Sequence, residues 1–91
     1  MAPPGHTDRM SAKFPQHTVV RVSSIRAGRF DGQPIYDVRH PQVGDIGTVL
    51  EIYERPELGY EVECSDPKTG ASIWLAGMYP DELEAHSPDV G

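Results

Sequence analysis

The residues that could do chemistry in this chain are few and dispersed. His6, His17, His40, His86 and Cys64 are its only imidazole and thiol donors, and none falls in a CxxC or HxxxH spacing. A zinc site needs ligands converging at such spacings, so no metal site is expected. Cys64 follows Tyr60 and Val62 at two-residue intervals, the period of one strand face, and is read as a small buried hydrophobe. A nucleophilic thiol needs a base and a cationic setting, whereas Cys64 has Glu63 and Asp66 nearby, anions that keep a thiol protonated. Glu61 and Glu63 project from a common face and are spaced for acid–base work, but a solvated strand face gives the same spacing. The chain is therefore read as a non-enzyme without catalytic residues or cofactors.

Charge is the second chemical signal. The net charge of -6 is unevenly divided. Residues 1–42 carry Arg9, Lys13, Arg21, Arg26, Arg29 and Arg39 against three acidic residues, a net of +3. Residues 43–86 carry Arg55 and Lys68 against ten acidic residues, a net of -8. The acidic half repels phosphate backbones and suits a partner protein with a basic surface, although an acidic surface also serves solubility alone. The arginines Arg21, Arg26, Arg29 and Arg39, interleaved with Phe30, Tyr36 and His40, make the alternative case, a loop that binds nucleic acid.

These residues need a scaffold, and composition limits which one. Ninety-one residues make one domain, and 9 Gly plus 9 Pro with only 37% apolar residues favour short strands and turns over helices. Residues 1–13 show no apolar period and are read as a disordered tail, as are residues 87–91, leaving 14–86 as the working domain. With one cysteine and no signal-peptide-like run, a cytoplasmic location is expected. No stretch approaches the ~20 apolar residues that a membrane span requires.

Within the domain, HTVVRVSSI (17–25) is a β-branched first strand, with Val20, Val22 and Ile25 facing inward. A 20-residue excursion, 26–45, is too long to be structureless and is expected to be pinned by Phe30, Ile35, Tyr36 and Val38. TVLEIYE (48–54) is the second strand, entered through Gly44 and Gly47, which let the chain turn; its apolar residues occur on both faces. YEVECS (60–65) alternates cleanly, DPKTG (66–70) is a hairpin turn, and ASIWL (71–75) is the fourth strand. MYPDEL forms a 3₁₀-like turn that drops Leu83 into the core before a short last strand. The result is all-β: a small SH3-like barrel of about five short strands. The short DPKTG turn leaves no room for the helix of an OB-type barrel.

The segments VGDIGTVLEIYE, GYEVECSD and IWLAGMYPDELEA resemble an uncharacterised bacterial family of small stand-alone SH3-like proteins. Its pattern is GDxGTVxExY, a G-Y/A-x-V-E strand, a D-x-x-G turn and a closing P-x-E/D-L. The resemblance covers about residues 43–85 and implies a fold more than a function. GDIGTV is also similar to the GxxGxV turn of KOW-type modules, and Arg39, Pro41, Gly44, Gly47 and Val49 are similar to a pattern in the carboxyl-terminal barrel of nitrile hydratase β-subunits. Neither resemblance transfers a catalytic residue.

The expected function is protein binding through an acidic, aromatic-bearing barrel face. The candidate residues are Trp74, Glu61, Glu63, Tyr36, Tyr53 and Tyr79, with Arg29 and Arg39 of the long loop as a second contact. Pairing Val62 with Ile73 across the hairpin turns Trp74 outward beside Glu61; a one-residue change of register buries it as a core aromatic. An antitoxin or immunity-like inhibitor, an accessory subunit, or an assembly factor or activator similar to the nitrile hydratase β-type barrels would all fit.

Overall fold

The computed structural model describes residues 14–35 and 37–86. The tails expected at 1–13 and 87–91, and Tyr36, lie outside the described residues. Five strands form one antiparallel sheet: β1 (Val19–Val22), β2 (Ile46–Tyr53), β3 (Gly59–Ser65), β4 (Ser72–Met78) and β5 (Leu83–Ala85), in the order β4-β3-β2-β1-β5. A 3₁₀ turn, Pro80–Glu82, precedes β5. The chain is thus all-β, a small SH3-like barrel in which β4 and β5 remain the two edges.

Alternation builds the core. Tyr60, Val62 and Cys64 of β3 are buried, as their spacing indicates, and meet Val20 and Val22 of β1, Val49 of β2 and Leu83 of β5. Phe14 closes one end, its ring 5.4 Å from that of Tyr60 and its N–H donating to the Tyr60 hydroxyl at 3.1 Å. The apolar residues on both faces of β2 have a physical explanation: the β2–β3 register shifts between Val49 and Glu51. One extra residue there lets Val49 and Ile52 both reach the core despite their odd spacing.

Gly44 and Gly47 differ in their roles. Gly44 has φ +99°, a conformation L side chains rarely adopt, and turns the chain out of the loop. Gly47, expected to do the same, instead lies inside β2, where an added Cβ would come within 2.7 Å of the Glu63 carbonyl oxygen and of a Val62 methyl. It is a close-approach glycine.

The β3–β4 register also corrects an expectation. Val62 pairs with Ala76 and Tyr60 with Met78, because β4 runs on to Met78 and the ladder shifts between Cys64 and Ser65 at the turn. The offset from the expected register is odd, so the faces exchange: Trp74 opposes Cys64 and is only 2% exposed. This arrangement buries Trp74 and Met78 and leaves Leu75 outside. Trp74 is therefore a core residue and not an outward aromatic.

Candidate functional site

The loop between β1 and β2 is held chiefly by ions. Ile35 and Val38 are 55% and 66% exposed, so their side chains do not pin it as expected. Phe30 does pack against the core, with its ring stacked on His40 at 5.4 Å. Two arginine–carboxylate clamps do the rest. Near the start of the loop, Arg29 donates to the Glu82 carboxylate at 3.0–3.3 Å, and the N–H groups of Arg26 and Tyr79 donate to the same carboxylate at 2.9 and 3.0 Å. Glu82 is fully buried, although only its place in an acidic stretch was evident from the sequence. Burial pushes its carboxyl up, but these donors outweigh that and hold it below the ordinary carboxylate range.

At the far end of the loop, Arg39 grips Asp45 in a two-pronged pair at 2.7 and 2.9 Å. Asp45 also accepts from the Gln42 N–H and from Trp74 Nε1, both at 2.8 Å. Here too burial acts upward, and the Arg39, Gln42 and Trp74 donors hold the carboxyl below its usual value. The aspartate of GDIGTV is therefore what satisfies the buried indole. Arg26 pairs with Asp81 and Arg21 with Glu84. All four arginines of residues 14–42 are thus matched to carboxylates.

The outer face of β2 and β3 has no such matching. Glu51 stands directly opposite Glu61, and Glu63 opposes Thr48 on one side and Leu75 on the other. Among the described residues, no lysine or arginine lies within ion-pair distance of these three glutamates. Like charges directly opposed across a ladder are destabilising. Exposed Tyr53 and Leu75 belong to the same face, and the Tyr53 hydroxyl donates to Glu61 at 3.2 Å. Residual desolvation and the Glu61 carboxylate raise the Tyr53 phenol above its usual pKa.

Two clefts flank this face. One, of about 300 Å³, runs between the long loop and β4 and is lined by Phe30, Asp37, Arg39, His40, Trp74 and Leu75 among others. The other, of about 350 Å³, lies over the β2–β3 turn and the end of β4, with Tyr53, Pro56, Glu57, Leu58 and Tyr79 in its wall. Arg29 borders both, reaching the Gly77 carbonyl and sitting 4.8 Å from the Tyr79 ring centre. The Arg26 guanidinium lies 3.6 Å from the same ring centre.

The structure therefore brings Tyr53, Glu61 and Glu63 onto one face with Tyr79 at its end, and Trp74, Arg29 and Arg39 into the loop framework behind it. Sequence reasoning missed Asp45 and Glu82 as hubs. The closing PDEL motif was the available signal for Glu82, since a carboxylate two residues after a proline can cap its own tight turn.

Cys64 is buried, and its thiol is pushed up by burial and by Asp45. Among the described residues no group of three or more His, Cys, Asp or Glu side chains could hold a metal ion. No described helix is long and apolar enough to cross a membrane. Compared with protein-family models, curated proteins and solved structures, the chain matches none.

Proposed function

We propose that this protein is a non-enzymatic, cytoplasmic binding module whose β2–β3 face, built on Glu51, Glu61, Glu63, Tyr53 and Leu75, docks a basic surface of another protein. The observation that carries the proposal is the contrast in charge matching. Every arginine of residues 14–42 is engaged by a carboxylate, while the three glutamates of the face oppose one another or neutral residues. A cationic partner relieves that repulsion on binding, and the exposed tyrosine and leucine supply apolar contact. Roles as an inhibitor, an accessory subunit or an assembly factor all use such a face.

The engaged arginines weaken the alternative in which the loop binds nucleic acid, because each phosphate contact would compete with an existing ion pair. The test is capture of partners from native cell extract by immobilised wild-type protein and by a Glu61→Lys/Glu63→Lys variant, followed by titration of each purified partner at two salt concentrations. The expected result is a basic partner whose binding weakens with salt and is lost in the variant. Equal retention by the variant would remove the face from the account, and salt-sensitive binding of labelled RNA in place of any protein would favour the nucleic-acid reading.

A further inference from the structure

β4 is an edge strand, and among the described residues the loop meets its main chain at two carbonyls. The Ile73 carbonyl accepts from the Val38 and Arg39 N–H groups at 3.0 and 3.4 Å, and the Gly77 carbonyl accepts from the Arg29 guanidinium. Both carbonyls therefore point away from β3. Main-chain groups alternate direction along a strand, so the Leu75 N–H and C=O, midway between, point to the same open side. The cleft of about 300 Å³ lies along this gap, with Leu75 and Gly77 on one wall and Phe30 and His40 on the other. Unpaired edge groups beside an apolar wall are a template for a further strand.

The charges around the gap select what fits. Arg29 and Arg39 are neutralised by Glu82 and Asp45, leaving Asp37 in the cleft wall with, among the described residues, no cation within ion-pair distance and the Ser72 hydroxyl as its hydrogen-bond partner at 3.4 Å. We infer that the cleft takes an extended peptide segment of a partner protein, its main chain pairing with Leu75 and a basic side chain meeting Asp37. This second contact shares Leu75 with the acidic face but uses its main-chain groups at the sheet edge, where the face uses its side chain.

The experiment titrates isotope-labelled protein with the peptide acetyl-TKVKVT-amide and with two analogues, one N-methylated on both valines and one on both lysines. N-methylation removes edge N–H donors without changing charge. The unmodified peptide is expected to shift the Leu75 amide resonance, and one of the two analogues to bind about tenfold more weakly, the equivalent of roughly one hydrogen bond. Leu75→Pro removes the donor at a position where an edge strand tolerates proline and should weaken binding by about the same factor, while Leu75→Ala stays within about threefold. Undiminished binding by both methylated peptides, an unmoved Leu75 amide, equal binding of acetyl-TEVEVT-amide, or no binding at all would each overturn the inference. A Glu51→Lys variant, which alters the acidic face, is expected to leave this affinity unchanged within about twofold, so failure of the face and failure of the cleft are read separately.

Discussion

The carboxylates of the loop framework and those of the β2–β3 face have opposite relations to the fold. Asp45, Asp81, Glu82 and Glu84 each meet an arginine, and two of them are substantially buried, with Glu82 at 0% and Asp45 at 13% side-chain exposure. Among the described residues Glu51, Glu61 and Glu63 meet no cation, and Glu51 and Glu61 stand directly opposed. The difference teaches that the net charge of -6 is not one property. Some of the carboxylates behind it are structural and paired with arginines, and others stand on the outer face without such a pair.

Substitutions can break that contrast from the buried end outward. Glu82→Ala leaves Arg29, 18% exposed, without its counter-ion and two backbone N–H groups without an acceptor. Breaking a buried pair in this way costs about 3–5 kcal/mol, a large share of a small domain's stability, so thermal melting should show the variant largely unfolded. Asp45→Ala removes a more exposed pair but also orphans the Trp74 indole N–H. A loss of about 1.5–3 kcal/mol is expected, with a drop of roughly 4–8 °C in Tm per kcal/mol and a red-shifted emission from the single tryptophan.

Acid sharpens the same comparison. Glu82 and Asp45 have folded pKa values held below the ordinary carboxylate values of about 4.3 and 3.9. Groups with depressed folded values stabilise the native state above their unfolded pKa and lose that contribution as pH falls through the folded value. Denaturant midpoints should thus hold steady at neutral pH and decline progressively below about pH 4. In Asp45→Asn the starting stability is lower and the decline shallower. A wild-type midpoint flat down to about pH 2 would contradict the clamps.

The smallest expected effect has the opposite sign. Glu51→Lys turns a repulsive cross-strand pair with Glu61 into an attractive one and should stabilise the domain by about 0.2–1 kcal/mol in chemical denaturation. Removing a clamp carboxylate destabilises, whereas reversing a face carboxylate stabilises. If Glu51→Lys instead lowered the denaturation midpoint, the face would belong with the structural carboxylates.

How much of this was legible in the sequence depends on the reach of each interaction. Strand β3 was plain because Tyr60, Val62 and Cys64 alternate with Glu61, Glu63 and Ser65, a local pattern set by the pleat. The turn at Asp66–Gly70 and the 3₁₀ turn after Tyr79 were likewise encoded in adjacent residues. The register of β4 was not, because it depends on a shift at Ser65 and on whether burying Trp74 and Met78 outweighs burying Leu75. The clamps were hidden for a related reason: Arg29 and Glu82 are 53 residues apart, and an exposed glutamate and a fully buried one look alike in a charge count. The acidic bias of residues 43–86 was visible, but not its division into neutralised and open parts.

The measurement that bears most directly on the proposed function is quantitative capture from native extract by wild-type protein and by the folded triple variant Glu51→Lys/Glu61→Lys/Glu63→Lys, compared protein by protein at near-physiological salt. The account predicts a basic protein held by the wild type and lost by the variant. Thermal melting should show a cooperative transition within about 1 kcal/mol of the wild type, since lysines at positions 51 and 61 leave like charges opposed as Glu51 and Glu61 do. A partner retained equally by both would contradict it.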